Sequence, residues 1–222
     1  MTPQLVRETV SIVLRGPFSP VFFHPFWFAA HNLIREQEAE SADVKVIHPS
    51  VAEFQSEWFA IQVVPDRFQV MTQQSSFYEV LRDLVAGMLD ILKPSNLTAM
   101  GINRHFHYQL ESERVWHALG DILAPKDVWY EVLETPGMAR LIMQGKRTDG
   151  LDGYVQVRVE PSPEVRYGVF IEVNDHYQFS KQSNDERLSS DLAITYLLEQ
   201  WQTSMERSLH IAKKIINLGE TQ

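Results

Sequence analysis

Residues 9–15 (TVSIVLR) alternate in polarity and are β-branched, which predicts a strand ended by Gly16-Pro17. Ser19-Pro20 then supplies an N-cap followed by proline at the first helical position. The segment from Val21 to about Glu40 reads as a helix with a break at Pro25 and a polar, acidic second half. Three strand-like runs follow at 44–54, 57–64 and 67–72, and Pro65-Asp66 makes the last two a hairpin. From Phe77 the period changes. Val80, Leu81, Leu84, Val85, Met88, Leu89 and Leu92 recur at spacings of three and four, predicting a helix capped by Ser75 or Ser76 and followed by Pro94.

The order then starts again. A strand is predicted at 97–109 (LTAMGINRHFHYQ) and a helix from Ser112 through Val115, Trp116, Leu119 and Leu123. Residues 126–136 fit either an extension of that helical region or a loop. Strands follow at 138–146, 153–160 and 165–179, and a long helix runs from about Ser190 to Leu218. Each half thus reads strand, helix, three-strand meander, helix. The expectation is an α+β fold of two tandem β-α-β-β-β-α halves, ferredoxin-like in flavour, with antiparallel sheets and a long C-terminal helix. The halves cover 1–94 and 95–222. Residue identity between them is low, so duplication rests on element order and spacing. A half of about 100 residues buries only a modest core, which favours packing of both as one compact unit.

Composition narrows the function. The chain has 222 residues, 20 Lys+Arg against 29 Asp+Glu, and a formal net charge of -9. That balance argues against a general phosphate-backbone binder and so against nucleic acid as partner. With no cysteine, thiol catalysis, disulfides and Cys-ligated metal sites are excluded. The start, Met1 to Glu8, lacks the basic and apolar regions of a secretion signal, and the most apolar stretch, Val21 to Ala30, is short and holds His24 and Pro25. The reading is a cytoplasmic protein without a membrane partner.

The strand at 97–109 carries the most chemistry. Alternation puts Asn103, His105, His107 and Gln109 on one face, with His105 and His107 about 6.6–7 Å apart. The run 165–179 offers Glu172, Asn174, His176 and Gln178 on one of its own faces, and Arg158 lies on the polar face of 153–160. If the faces coincide, His105, His107, His176 and Glu172 form a set suited to zinc, iron or manganese, or to acid–base work. The simpler reading is the polar side of an open sheet, a recognition face of Asn103, His105, His107, Arg158, Glu172, Asn174 and His176, with no cofactor. His24, His31, His48, His117 and His210 are scattered, and no His-Glu-x-x-His, Gly-x-Ser-x-Gly or phosphate-loop motif is present. Glu36, Glu38 and Glu40 read as a solvated face.

Aromatic residues crowd one segment: Phe18, Phe22, Phe23, Phe26, Trp27 and Phe28. They point in too many directions for one core stripe. Phe22, Phe23, Phe26 and Trp27, with Trp201 and Met205 of the last helix, are candidate interface residues, between the halves or between copies. In that helix Ile194, Leu198, Trp201, Met205, Ser208, Ala212 and Ile215 form a heptad seam. A helix of about 29 residues spans about 43 Å, enough to cross both halves or to meet a second copy.

Met100-Gly101-Ile102-Asn103-Arg104, together with Arg67-Phe68-Gln69-Val70-Met71-Thr72, resembles a sporadically distributed family of bacterial proteins of this size, over the middle third of the chain. The resemblance brings no activity and no catalytic residue. It implies a bacterial, cytoplasmic protein from a mobile or defence-associated gene neighbourhood. The sequence as a whole reads as a non-enzymatic, protein-binding or regulatory module that forms a homodimer. The alternatives are an enzyme using His105, His107 and His176, and an RNA-binding or RNA-processing protein. Tandem α+β halves resemble CRISPR RNA-processing endoribonucleases in architecture, but those resemble basic proteins with a glycine-rich loop near the C-terminus.

Overall fold

The computed structural model describes residues 3–93, 96–179 and 189–220. Pro94, expected just after a helix, lies outside the described residues, as do Met1 and Thr2. The strands are β1 (Gln4–Arg15), β2 (Asp43–His48), β3 (Val51–Gln55), β4 (Ala60–Val64), β5 (Arg67–Thr72), β6 (Ala99–Gln109), β7 (Leu141–Lys146), β8 (Gly153–Pro161) and β9 (Gly168–Gln178). The helices are α1 (Pro25–Ala30), α2 (Glu36–Glu40), α3 (Tyr78–Leu92), α4 (Glu113–Leu123) and α5 (Ser189–Ile216), with short 3-10 turns at 20–22, 75–77 and 217–220. No helix among the described residues is long and apolar enough to cross a membrane.

The strands form one sheet in the order β2-β3-β4-β5-β1-β6-β9-β8-β7, and every pairing is antiparallel. The α+β class with an antiparallel sheet and a long C-terminal helix is therefore observed. Its two meanders meet where β1 pairs with β6, from Gln4↔Gln109 to Arg15↔Ala99.

Two elements differ from the sequence reading. The run 44–54 is two strands, because Pro49 and Ser50 turn the chain between β2 and β3; the first meander has four strands. The long helix expected from Val21 to Glu40 is a 3-10 turn and two short helices. His24 caps α1, its Nδ1 accepting from the Phe26 amide at 3.3 Å, with Pro25 at the first position. Asn32, at φ 58°, turns the chain out of α1 in the left-handed region that asparagine tolerates. Of the two serine caps expected further on, only Ser112 is observed; Ser75 and Ser76 lie inside the 3-10 turn, and Phe77 stands at the N-cap position of α3. Ser112 caps α4 by accepting from the Val115 amide, while α3 starts after the 75–77 turn without a side-chain cap and ends on left-handed Lys93. Residues 126–136 belong to no helix.

One face of the sheet carries the helices. Val10, Ile12 and Leu14 of β1, Phe68 and Val70 of β5, and Met100 and Ile102 of β6 are buried with Leu81, Leu84, Val85 and Met88 of α3. A second core gathers Phe106, Tyr108, Leu119, Val159, Val169, Ile171 and Val173. α5 spans both, placing Leu197 and Trp201 in the first and Ala212 and Ile216 in the second. Of the expected seam, Trp201, Met205, Ser208 and Ala212 are buried; near its start Leu197 is buried where Leu198 is exposed, and at its end Ile216 is buried.

Between the two cores the helix–sheet interface is ionic. Arg104 pairs with Glu8 at 2.5 Å and donates to the Met205 carbonyl of α5 at 2.6 Å. Nearby, Asp175 of β9 receives Arg147 and Arg207, and both guanidiniums also reach Asp149. The Arg147 hydrogen bond is the main cause holding the Asp149 carboxyl down at about 2.

Candidate functional site

The opposite face of the sheet is polar, because strand alternation sends the odd residues of β1, β5 and β6 and the even residues of β8 and β9 away from the helices. Cross-strand register arranges these residues in rows. One row is Ser11–Asn103–Asn174–Gln156–Gln144, a ladder dominated by amides. The next towards the N-terminus of β1 is Thr9–His105–Glu172–Arg158, and the next on the other side is Gln69–Val13–Gly101–His176–Tyr154. The expected recognition face of Asn103, His105, His107, Arg158, Glu172, Asn174 and His176 therefore shares one side of the sheet. The face is deep in its middle: Ser11 is 1% and Asn103 5% exposed.

The histidines do not converge. His176 stands opposite Gly101, four residues along β6 from His105, or about 13 Å. It stacks instead on Tyr154, with ring centres 4.3 Å apart and planes 15° apart. His105 Nε2 lies 3.6 Å from Glu172, whose other oxygen accepts from Arg158 at 2.5 Å. Burial alone would raise the Glu172 carboxyl; the hydrogen bond and charge of His105, with Arg158, outweigh it and hold the group below its usual range. Among the described residues no group of three or more His, Asp or Glu is placed to hold a metal ion.

His107 joins a different set. Its Nδ1 is 2.8 Å from Ser162 Oγ and its Nε2 3.4 Å from Glu164, which also pairs with Arg7. The order serine–histidine–carboxylate invites a nucleophilic reading. However, Ser162 is only 9% exposed and its Oγ already accepts from the Glu164 amide at 3.2 Å. The three residues clasp the turn between β8 and β9. Sequence reasoning missed Ser162 and Glu164 because the turn Pro161-Ser162-Pro163 gives no sign that it folds back over β6.

A cavity of about 310 Å³ opens on the polar face, lined by residues that include Ser11, Val13, Gln69, Gly101, Asn103, His105, Tyr154, Glu172, Asn174 and His176. Asn174 Oδ1 is buried there without a hydrogen-bond partner. Gly101 and Tyr154 were not singled out as site residues from the sequence, although a lone glycine inside the alternating run MGINRHFHY is a cue to close approach of another group.

The aromatic candidates divide. Phe23, Trp201 and Met205 lie inside the first core and Trp27 packs partly against it, whereas Phe22 and Phe26 are exposed. As a contact between copies, only the last two are free. Among the remaining histidines, His31 Nδ1 lies 2.8 Å from the Trp27 carbonyl, His48 reaches Ser50, His117 sits 3.8 Å from Glu113 and His210 is exposed. Glu38 is not simply solvated: it accepts from the Trp58 indole at 2.6 Å and from the Arg35 amide at 2.7 Å.

Burial is the main cause that lowers the affinity of both His107 and His176 for protons, helped by Arg7 and His105 for the first and by Arg147 for the second. Below 6.5, the ordinary value, the unfolded chain takes up protons that the folded chain resists. Stability from these two groups is complete above that pH and declines as pH falls. The expected result is a melting temperature that drops between pH 7.5 and 5, with a shallower drop in His107→Gln/His176→Gln. Equal slopes in circular-dichroism melts would refute it.

No protein-family model matches the chain, and no curated protein matches it.

Proposed function

We propose that the chain is a non-enzymatic binding module that works through another protein chain and self-associates along β7. The observation that carries this is the coincidence of an open strand edge with exposed apolar residues. β7 is the last strand of the sheet and pairs with β8 without irregularity from Leu141↔Val159 to Lys146↔Tyr154. The segment leading into it exposes at least half of Val128, Trp129, Tyr130, Val132 and Leu133, and β7 itself exposes Met143. An edge with free backbone groups accepts another strand, and clustered exposed apolar side chains mark contact surfaces.

A second copy is the occupant favoured here. Antiparallel pairing of β7 with itself satisfies both edges in one symmetric, self-closing contact. The other edge is less suited, since β2 carries a bulge between Val44 and Val46 and a charged pair at Asp43 and Lys45. Light scattering on the full chain is expected to give twice 25.7 kDa, and Val132→Asp/Leu133→Asp to give the single mass. A single mass for the unaltered chain at every concentration, or a dimer indifferent to the substitutions, overturns the proposal.

A further inference from the structure

We infer that the gap above Gly101 is a binding slot for a flat, uncharged nitrogen heterocycle of the nucleobase class. The inference does not rest on self-association; it concerns the opposite, polar side of the sheet's middle.

The shape argument begins with the row Val13–Gly101–His176–Tyr154. Neighbouring strands lie about 4.8 Å apart, so the strands carrying Val13 and His176 are about 9.6 Å apart with β6 between them. On β6 the side chain is missing. The rings of His176 and Tyr154 stand beside one another at 4.3 Å, close to one strand spacing. A third ring above Gly101 would continue that stack by one strand, with its far side against Val13. Offset stacking of flat rings needs this kind of spacing. Gly101 is itself buried, so the gap is deep and narrow.

The polar groups at one end of the gap define the chemistry. A Cβ placed on Gly101 would lie 3.0 Å from Asn174 Oδ1 and 3.5 Å from both terminal atoms of Asn103, so these two amides border the gap on one side. Asn174 Oδ1 is a buried acceptor without a partner, a state that costs free energy and that a turn of the amide towards a donor in the gap would relieve. Asn103 can supply both a donor and an acceptor. A ring edge that presents N–H beside a ring nitrogen or carbonyl satisfies both amides at once, as an amide side chain does for a base. Of the charged residues lining the cavity, Glu172 is held by His105 and Arg158, and Arg15 is half exposed and turned to Asp66 at the solvent. Among the described residues no cation points into the cavity without a carboxylate partner, which favours a base or nucleoside over a phosphate.

The test is isothermal titration of the full chain with adenosine, guanosine, cytidine and uridine, with glucose as a non-planar control. At least one nucleoside is expected to saturate with a Kd below about 1 mM, and Asn174→Ala to weaken it by about tenfold. Asn174 Oδ1 makes no bond that the fold relies on, so this variant is expected to keep the wild-type melting temperature. Gly101→Val, which fills the gap, is expected to abolish binding. Absence of saturation with all four nucleosides overturns the inference, as does binding of glucose alone. Nucleoside binding unchanged in Asn174→Ala overturns it whatever Gly101→Val does.

Discussion

Asp175→Asn is expected to lower the melting temperature by roughly 6–20 °C, which follows from a loss of about 3–5 kcal/mol when one partner of a buried ion network is removed. The Asp175 side chain is 2% exposed and that of Arg147 1%. Arg147 also lies over the Tyr177 ring, 3.9 Å from its centre, and donates to the His176 carbonyl, so it cannot swing out to water without disturbing β9. Arg207 brings the second positive charge from α5, its Nη1 donating to Asp175 at 2.7 Å. Asparagine keeps the volume and removes the charge, leaving two guanidiniums to share Asp149. The contrast is Asp66→Ala, which breaks an exposed pair with Arg15 and should cost at most about 1 kcal/mol. Calorimetry of both variants decides: a Asp175→Asn melt within a degree or two of the unaltered chain would mean that the network is not what ties α5 to the second meander.

How much of this was legible depended on the range of the interaction. The alternation of TVSIVLR and NRHFHYQ declared both faces of β1 and β6, because side-chain direction in a strand is a local property. Ser112 declared the start of α4 for the same reason. Pro49 was equally local; reading through it merged β2 and β3 and cost a strand. The pairing of β1 with β6 lay beyond local pattern, since either strand could have been a sheet edge. Register was the decisive unknown at the candidate site. The polar faces of β6 and β9 do coincide, yet the pairing sets His105 against Glu172 and His176 against Gly101. A shift of two residues would have preserved every face assignment and changed which groups meet. The face was therefore readable and the constellation was not.

The ionic seam was invisible for a related reason. Arg104, Asp175 and Arg207 look like solvated charges in a linear pattern, and Arg104 and Asp175 interrupt otherwise apolar helix-facing stripes. Their partners are distant in sequence, so each can be read only once α5 is laid across the sheet. The two cores leave a band between them, and charge fills it. Placing paired ions there fixes the position of α5 along the sheet more sharply than apolar contact would, because a shift along the helix axis breaks hydrogen bonds that sliding methyl groups would tolerate.

Gly153→Ala is expected to be the most disruptive conservative change on the polar side of the molecule. Gly153 has φ 137°, a region closed to side chains, and an added Cβ would sit 2.0 Å from the His176 carbonyl oxygen of the paired strand. Backbone on both sides prevents relief by a rotamer change, so β8 must separate from β9 at its first pair, Gly153↔Tyr177. The cost should fall at the upper end for single substitutions, about 3 kcal/mol, or roughly 6–12 °C in melting temperature. The displacement also has an address. Tyr154 and His176 form the next pair, and Arg147 donates to the same His176 carbonyl, so the aromatic stack and the ionic seam move together. Hydrogen exchange should rise at the start of β8 and the end of β9 while the β1–β5 pairing keeps its protection. Gly145→Ala on the β7 edge, where an added Cβ meets nothing within 4 Å, serves as the control and should leave both melting and exchange unchanged. Uniform loss of protection across the sheet would instead mean that the two meanders unfold as one unit around this contact.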